Sequence, residues 1–206
     1  MQTSYIFKSE SESKAESIIN RIEECFTGLS EKRRIHTENV IEEAIKLARH
    51  YGEDEIKAAF AAKCHDFFRG KDNQEINSLI RHYGLPEKYL DNPNLAHGKI
   101  AEAFLREDLG IDDQEILNAV SFHTTGRCNM SLLEKIVFIA DAIEPNRKYS
   151  GVEEIRKAAY QDIDKACLMS LEGTINHLKE IGTEIDKIDR DTIEAASFLK
   201  AVEKEK

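Results

Sequence analysis

The segment EKIVFIADAIEP, residues 134–145, constrains the fold more than any other part of the chain. Between Lys135 and Glu144 it is apolar at every position except Asp141. An S-x-x-E capping box at Ser131 precedes the segment, and a helix usually ends before a proline such as the last residue here. A helix that is apolar on nearly all sides has to be buried on all sides. We therefore predict a central, buried helix with other helices packed around it.

The rest of the chain also carries helix signals and shows no convincing strand pattern. It contains only 10 Gly and 3 Pro, and apolar residues recur at helical spacing in segments such as 34–51, which Gly52 follows, and 54–68, which Gly70 follows shortly after. A length of 206 residues suits one domain. We predict an all-α fold, a single-domain helical bundle of about eight to ten helices.

The charge of the chain excludes some functions. It has 39 acidic and 29 basic residues and a net charge of −10, and because an acidic surface repels a phosphate backbone we expect no nucleic-acid partner. No window approaches the roughly 18 consecutive apolar residues of a membrane span. The start, MQTSYIFKSESESK, lacks the features of a secretory signal. We therefore expect a cytoplasmic protein with no membrane partner.

Four of the seven histidines and two aspartates lie next to apolar residues on separate predicted helices or helix ends. Alone, each histidine has a structural interpretation as a hydrogen-bonded core residue, and Asp141 as a carboxylate paired with an arginine. Together they favour a metal site, because imidazole and carboxylate bind divalent first-row metals and a dication keeps a buried aspartate ionised. The six candidates are His36, His65, Asp66, His97, His123 and Asp141.

The order of histidine, His-Asp pair and later aspartate resembles the HD-domain superfamily of metal-dependent phosphohydrolases. The resemblance extends from about Arg34 to Leu199. Four pieces narrow it to the YqeK family: LAHG (95–98), FHTTGR (122–127), ADAIEPNR (140–147) and DTIEA (191–195). It implies a helical bundle of the HD-domain type over residues 31–200, with an N-terminal helix within residues 1–30 that packs on or precedes it and a charged tail at 201–206.

The same resemblance implies an activity and its cofactors. Members of the family are symmetrical bis(5'-nucleosyl)-tetraphosphatases, which hydrolyse diadenosine tetraphosphate and related dinucleotides to two nucleoside diphosphates. The expected partner is therefore a dinucleoside tetraphosphate or an ADP- or GDP-type nucleotide, and a homodimer stays open. The expected cofactors are two divalent metal ions, with iron preferred over Mn, Co or Mg.

Site residues follow from the resemblance position by position. It implies that one metal is held by His36, His65, Asp66 and Asp141, and the second by His97, His123 and the bridging Asp66. It also makes Asp66 the catalytic residue that orients the nucleophile. The implied nucleotide-binding residues are His36, Arg69, Gly70, Lys71, Thr124, Arg127 and Arg147. For Arg127 and Arg147, a surface or salt-bridge role is the alternative.

Three other functions remain open at this point. The chain fits another HD phosphohydrolase that acts on nucleotides or on a cyclic-nucleotide ester, since the metal ligands would be the same. A non-catalytic nucleotide-binding adaptor is the second alternative. The third is a zinc site that uses Cys64 or Cys128 with the histidines, which is disfavoured because neither cysteine has a close cysteine neighbour.

Overall fold

The structure, a computed structural model, describes residues 12–205. This part of the chain contains ten α-helices, two short 3₁₀ turns at Glu87–Tyr89 and Ile185–Lys187, and no strand. The predicted all-α fold, a single domain of helices, is confirmed over these residues. The helices are α1 (Glu12–Thr27), α2 (Glu31–Tyr51), α3 (Glu55–Cys64), α4 (Asn73–His82), α5 (Pro93–Glu107), α6 (Gln114–Phe122), α7 (Leu132–Ile143), α8 (Val152–Ala159), α9 (Ile163–Glu180) and α10 (Arg190–Glu205).

The predicted domain boundaries fall partly outside this range. Residues 1–11 of the predicted N-terminal segment and Lys206 of the predicted charged tail lie outside the described residues. Helix α1 packs on α3, and α10 continues through residues 201–205. The boundaries at residues 30 and 200 stay predictions.

Helix α7 lies at the centre of the bundle and contacts α2, α3, α6, α8 and α9. Its capping box forms as the sequence predicts, because the side chains of Ser131 and Glu134 each accept a hydrogen bond from the other's backbone N–H. Glu144 ends the helix in an extended conformation, as expected for a residue before proline. The fully buried side chains of α7 are Leu133, Ile136, Val137, Ile139, Ala140 and Ile143.

The helices around α7 begin at polar capping residues. The side chains of Ser30, Asp54 and Asp113 accept backbone N–H hydrogen bonds at the starts of α2, α3 and α6. Each cap of this kind stabilises a protein by about 1 kcal/mol. Among the described residues, no helix combines the length and the hydropathy that a membrane crossing requires.

Helices α5 and α6 approach each other closely at Gly98. A Cβ atom at this position would lie 3.0 Å from the carbonyl oxygen of Val120 and 3.1 Å from Cε1 of His123. A glycine here lets the backbone of α5 rest against the end of α6. This contact brings His97 on α5 next to His123.

Candidate metal centre

Five helices bring the six predicted ligands together. His36 lies on α2, His97 on α5 and Asp141 on α7, near the C-terminal end of that helix. The other three follow helix ends: His65 and Asp66 come directly after α3, and His123 comes directly after α6. All four imidazoles and Asp66 are buried, and Asp141 is partly buried.

One carboxylate oxygen of Asp66 lies in a first group of ligand atoms. Oδ2 of Asp66 is 3.7 Å from Nε2 of His36 and 3.6 Å from Nε2 of His65. The three atoms all lie within 4.8 Å of one another, the spacing expected around one ion. Asp141 Oδ1 lies 3.1 Å from His36 Nε2 and also shares a group of this kind with His65 and His123.

The other oxygen of Asp66 lies in a second group. Oδ1 is 3.2 Å from Nε2 of His97 and 3.8 Å from Nε2 of His123. These atoms again lie within 4.8 Å of one another. Asp66 therefore presents one oxygen to each of two neighbouring sets of imidazole nitrogens. This is the arrangement in which a carboxylate bridges two ions.

Backbone carbonyls lie at the outer nitrogens of three histidines. Nδ1 of His65 donates to the carbonyl of Ala62 at 2.6 Å, and Nδ1 of His123 donates to that of Val120 at 2.7 Å. Nδ1 of His97 lies 3.2 Å from the carbonyl of Pro93. Because a carbonyl oxygen only accepts, Nδ1 of His65 and Nδ1 of His123 each carry a proton, and in the neutral ring the lone pair of Nε2 then faces the cluster.

His36 is oriented by a carboxylate instead. Its Nδ1 lies 3.2 Å from Oε1 of Glu144, a buried carboxylate whose Oε2 accepts from the side chain of Asn39 and from the backbone N–H of Asn146. Hydrogen bonds to the outer nitrogen of a ligating histidine orient the ring and raise its basicity as a ligand. All four rings therefore have a partner for the nitrogen that faces away from the cluster.

The inward nitrogens and oxygens form a set that suits a metal cation. Nε2 of His36 and Nε2 of His65 are buried without a hydrogen-bond partner, and a buried polar atom in this condition costs about 1–3 kcal/mol. The Nε2 atoms of His97 and His123 face each other at 3.0 Å. Imidazole nitrogens and carboxylate oxygens are ligands for divalent first-row metals. The residues therefore fit a metal centre.

The charges in the cluster are consistent with ligands ready to bind. Burial raises the pKa of Asp66, but the neighbouring His65, His97 and His123 outweigh burial and hold this pKa well below its usual value. The pKa of Asp141 is likewise lowered by His36 and Arg147, against the opposing effect of burial. Burial, followed by the neighbouring His65 and His97, lowers the pKa of His123 to about 3. The carboxylates are thus ionised and His123 is neutral near pH 7.

Two arginines border the cluster. Nη1 of Arg33 donates to Oδ2 of Asp66 at 2.8 Å, and Arg147 binds both the carboxylate and the backbone carbonyl of Asp141. The turn that carries Arg147 is held by Arg156, which donates to the carbonyls of Glu144 and Arg147. Sequence reasoning missed Arg33 and Glu144. Their positions three residues from His36 and from Asp141, on the same helical face, were the available signal.

The predicted nucleotide-binding residues divide into two sets. The hydroxyl of Thr124 lies 3.1 Å from Nε2 of His123, and the guanidinium of Arg69 lies 3.4 Å from Nδ1 of His97. Burial lowers the pKa of Arg69. Gly70 follows with a φ of +87°, a left-handed conformation that glycine adopts without strain. Thr124, Arg69 and Arg147 therefore lie beside the cluster, and His36 is part of it.

Lys71 and Arg127 are engaged elsewhere. The ammonium of Lys71 pairs with Glu75 at 3.1 Å, at a separate surface hollow. The guanidinium of Arg127 makes two hydrogen bonds of 2.6 Å to Glu134, which is 2% exposed. The structure thus gives Arg127 the salt-bridge role that was its alternative. It does not bring these two cations to the cluster.

Two clefts open beside the cluster. One, of about 730 Å³, lies between the start of α2 and the turn after α7 and includes His36. The other, of about 910 Å³, runs along α9 and includes His123, Thr124 and Asp141. Both reach Arg147. A ligand that extends in two directions from the cluster therefore has room on both sides.

The helical bundle and the His-Asp cluster define the class of the protein. The model of the HD domain family, described as "HD domain", matches residues 33–146. This range includes all six candidate ligands. A cysteine-containing zinc site finds no support, because the metal-ligating groups within residues 12–205 contain no cysteine.

Relatives narrow the class, and the chain belongs to the YqeK family of HD domain proteins. A protein of Halalkalibacterium halodurans is 46% identical over 151 residues, 73% of this chain and 81% of the relative. One of Bacillus subtilis is 40% identical over 148 residues, 71% of this chain and 80% of the relative. Both are named "Bis(5'-nucleosyl)-tetraphosphatase, symmetrical".

A solved structure agrees with the fold. The crystal structure of a predicted HD superfamily hydrolase from Clostridium acetobutylicum, described as involved in NAD metabolism, is similar to this chain. It shares 40% sequence identity and a TM-score of 0.81, and the match covers 89% of this chain and 97% of that one. The predicted family and the predicted fold are confirmed.

Proposed function

We propose that this protein hydrolyses dinucleoside tetraphosphates such as diadenosine tetraphosphate symmetrically, to two nucleoside diphosphates, at a centre of two divalent metal ions. One observation carries the proposal: Asp66 presents Oδ2 to the nitrogens of His36 and His65 and Oδ1 to those of His97 and His123. The names of the relatives supply the substrate class.

The six ligands divide into two sets, one for each ion, and Asp66 belongs to both. His36, His65, Asp66 and Asp141 would hold the first, and Asp66, His97 and His123 the second. Bound there, two divalent ions supply a water of lowered pKa and positive charge beside the phosphates. We expect iron in both positions, as the family resemblance implies, with Mn, Co or Mg as alternatives. Four imidazoles suit first-row transition metals better than Mg.

The side chains around the ligands have roles that follow from their positions. Arg33 and Arg147 lie at the two aspartates and are suited to bind phosphoryl oxygens, on which negative charge develops during hydrolysis. The hydroxyl of Thr124 is placed to donate to a phosphate near His97 and His123. Asp66 orients the attacking water. In a chain of net charge −10, these groups concentrate the cations that a polyanionic substrate needs.

The proposal is tested by incubating the metal-loaded protein with diadenosine tetraphosphate and identifying the products. Two molecules of ADP are expected. AMP with ATP would contradict symmetrical cleavage, and the absence of any product would favour the non-catalytic adaptor. A panel of nucleoside mono- and triphosphates and cyclic nucleotides separates the proposal from another HD phosphohydrolase.

The metal centre is tested by Asp66→Ala. We expect this variant to lose bound metal and hydrolysis together while it keeps its helical circular dichroism, because both groups of ligands lose their shared carboxylate. Asp112→Ala removes an exposed aspartate outside the cluster and is the matched control, which keeps both. Full hydrolysis by metal-free Asp66→Ala protein would end the proposal.

Elemental analysis of protein purified without oxygen and without added metal gives the number and identity of the ions. Two iron atoms per chain are the expected result. The absence of a nucleic-acid partner and the homodimer stay predictions from the sequence.

A further inference from the structure

The cleft between α2 and the turn after α7, here called the basic cleft, has an unusual lining for so acidic a chain. It has four cationic side chains, on Lys32, Arg33, Arg147 and Lys148, and two exposed apolar ones, on Ile35 and Tyr149. One of its walls is His36, so the cleft begins at the metal centre.

The cations of the basic cleft are of two kinds. Arg33 and Arg147 make ion pairs with the aspartates of the cluster. Lys32 and Lys148 are exposed and make no ion pair with any residue in the described part of the chain. The cleft has two carboxylates, on Glu31 and Glu144. Glu144 is buried and already hydrogen-bonded to His36 and Asn39. Two lysines without counterions, beside two arginines, favour an anionic ligand.

The apolar part of the cleft has the character of a base-binding surface. The side chains of Ile35 and Tyr149 are 45% and 43% exposed, although most large apolar side chains of the bundle are buried. The phenol of Tyr149 donates to the carbonyl of Ala142 at 2.9 Å, which holds the ring in one orientation. A fixed, exposed aromatic ring beside cations is suited to stack on a nucleobase whose phosphates are bound nearby.

The second cleft differs in the sign of its charge. Its lining includes the carboxylates of Glu154, Glu172 and Glu180, and it shares Arg147 and Tyr149 with the basic cleft. Acidic walls repel phosphates, so a chain of phosphates that leaves the metal centre is drawn toward the basic cleft.

We propose that the basic cleft binds one nucleoside diphosphate half of the substrate, with its phosphates on Lys32 and Lys148 and its base against Tyr149 and Ile35. The inference rests on the proposed function. It makes the two lysines and the tyrosine specificity-determining residues, because they contact parts of the nucleotide that lie outside the metal centre.

The lysines are tested with the double variant Lys32→Gln/Lys148→Gln of the metal-loaded protein. The KM for diadenosine tetraphosphate rises about tenfold or more, and the dissociation constant of ADP rises with it, because two charge-assisted hydrogen bonds to phosphate are lost. The matched control is Lys157→Gln/Lys165→Gln, which removes the same charge from exposed positions outside both clefts. In the control, both constants stay within about twofold.

The base contact is tested with Tyr149→Ala and Tyr149→Phe, using inorganic tetraphosphate as a probe without bases. Tyr149→Ala weakens ADP binding but leaves tetraphosphate binding unchanged, while Tyr149→Phe, which keeps the ring but loses its hydrogen bond to Ala142, weakens ADP binding less than Tyr149→Ala does. The lysine variant weakens binding of both probes. Equal effects of Tyr149→Ala on both probes would overturn the base contact.

The outcomes separate this inference from the proposed function. If the parent yields two ADP and the lysine variant keeps its KM and its ADP affinity, the basic cleft is not a subsite although the function stands. If the parent hydrolyses nothing but the lysine variant binds ADP more weakly, the cleft is a nucleotide site and the proposed reaction is wrong.

Discussion

Gly98 offers a test of how the fold positions a ligand without any change to the ligand itself. In Gly98→Ala, the new Cβ would lie 3.0 Å from the carbonyl oxygen of Val120, 3.1 Å from Cε1 of His123 and 3.2 Å from its Nδ1. The carbonyl oxygen of Val120 and Nδ1 of His123 are the two ends of the hydrogen bond that orients the His123 ring. The methyl group therefore presses on the bond that directs Nε2 toward Asp66.

The expected magnitudes follow from these contacts. Overpacking of this kind costs about 1–3 kcal/mol, while alanine gains about 1 kcal/mol over glycine inside a helix. The net change is a loss of about 1 kcal/mol in the free energy of unfolding. The loss of activity is larger, because a displacement of about 1 Å at a catalytic centre reduces the rate about 100-fold.

The assay combines urea unfolding, metal content and the kcat/KM for diadenosine tetraphosphate. Gly173→Ala is the stability control: Gly173 also lies in a helix, but a Cβ there meets no atom within 4 Å. We expect this control to gain about 0.5–1 kcal/mol. If Gly98→Ala gains stability in the same way and keeps its metal and its kcat/KM, the close approach of α5 and α6 does not position His123.

Three further predictions concern single side chains. Asp141→Asn lowers metal affinity at the first group, which equilibrium dialysis measures; a variant that keeps full metal content and is only slower would make Asp141 a phosphate-positioning residue instead. Arg127→Ala leaves the buried Glu134 without the guanidinium that pairs with it, and it lowers the free energy of unfolding by about 2 kcal/mol with an unchanged KM. A raised KM at unchanged stability would instead support the predicted nucleotide-binding role of Arg127. The pKa of Asp113 is lowered, because Lys57 and the backbone N–H groups of α6 outweigh burial. The contribution of Asp113 to stability is therefore present above the unfolded pKa of about 4 and is lost as the pH falls. Asp113→Ala costs about 1 kcal/mol at pH 7, and urea titrations should show this difference shrinking toward pH 3.

The local features of the fold were predictable from the sequence, because their causes are close together in the chain. The capping box at Ser131, the proline that ends α7 and the isolated carboxylate of Asp141 are visible within 15 residues of one another. The six candidate ligands were found from their apolar neighbours and from the family resemblance, and the structure brings all six together.

The partners of these ligands were not predictable in the same way. Glu144 contacts His36 across 108 positions and Arg33 contacts Asp66 across 33, and only the packing of helices decides such pairs. For Arg127, the nucleotide contact stays a prediction. Its place in the FHTTGR motif suggested a ligand contact, but the nearby Glu134 takes up its guanidinium. Sequence alone does not reveal which of two acceptors a cation chooses.

The carbonyl anchors of the histidines have a consequence for how the protein exchanges its metal. His65, His97 and His123 are each held by a carbonyl three or four residues earlier in the same segment. The orientation of each ring is thus set by short-range geometry and does not change when the ion leaves. Reloading after chelation then needs no side-chain search, and its rate should follow the arrival of the ion. The bundle thus keeps the arrangement of these histidines when no ion is bound.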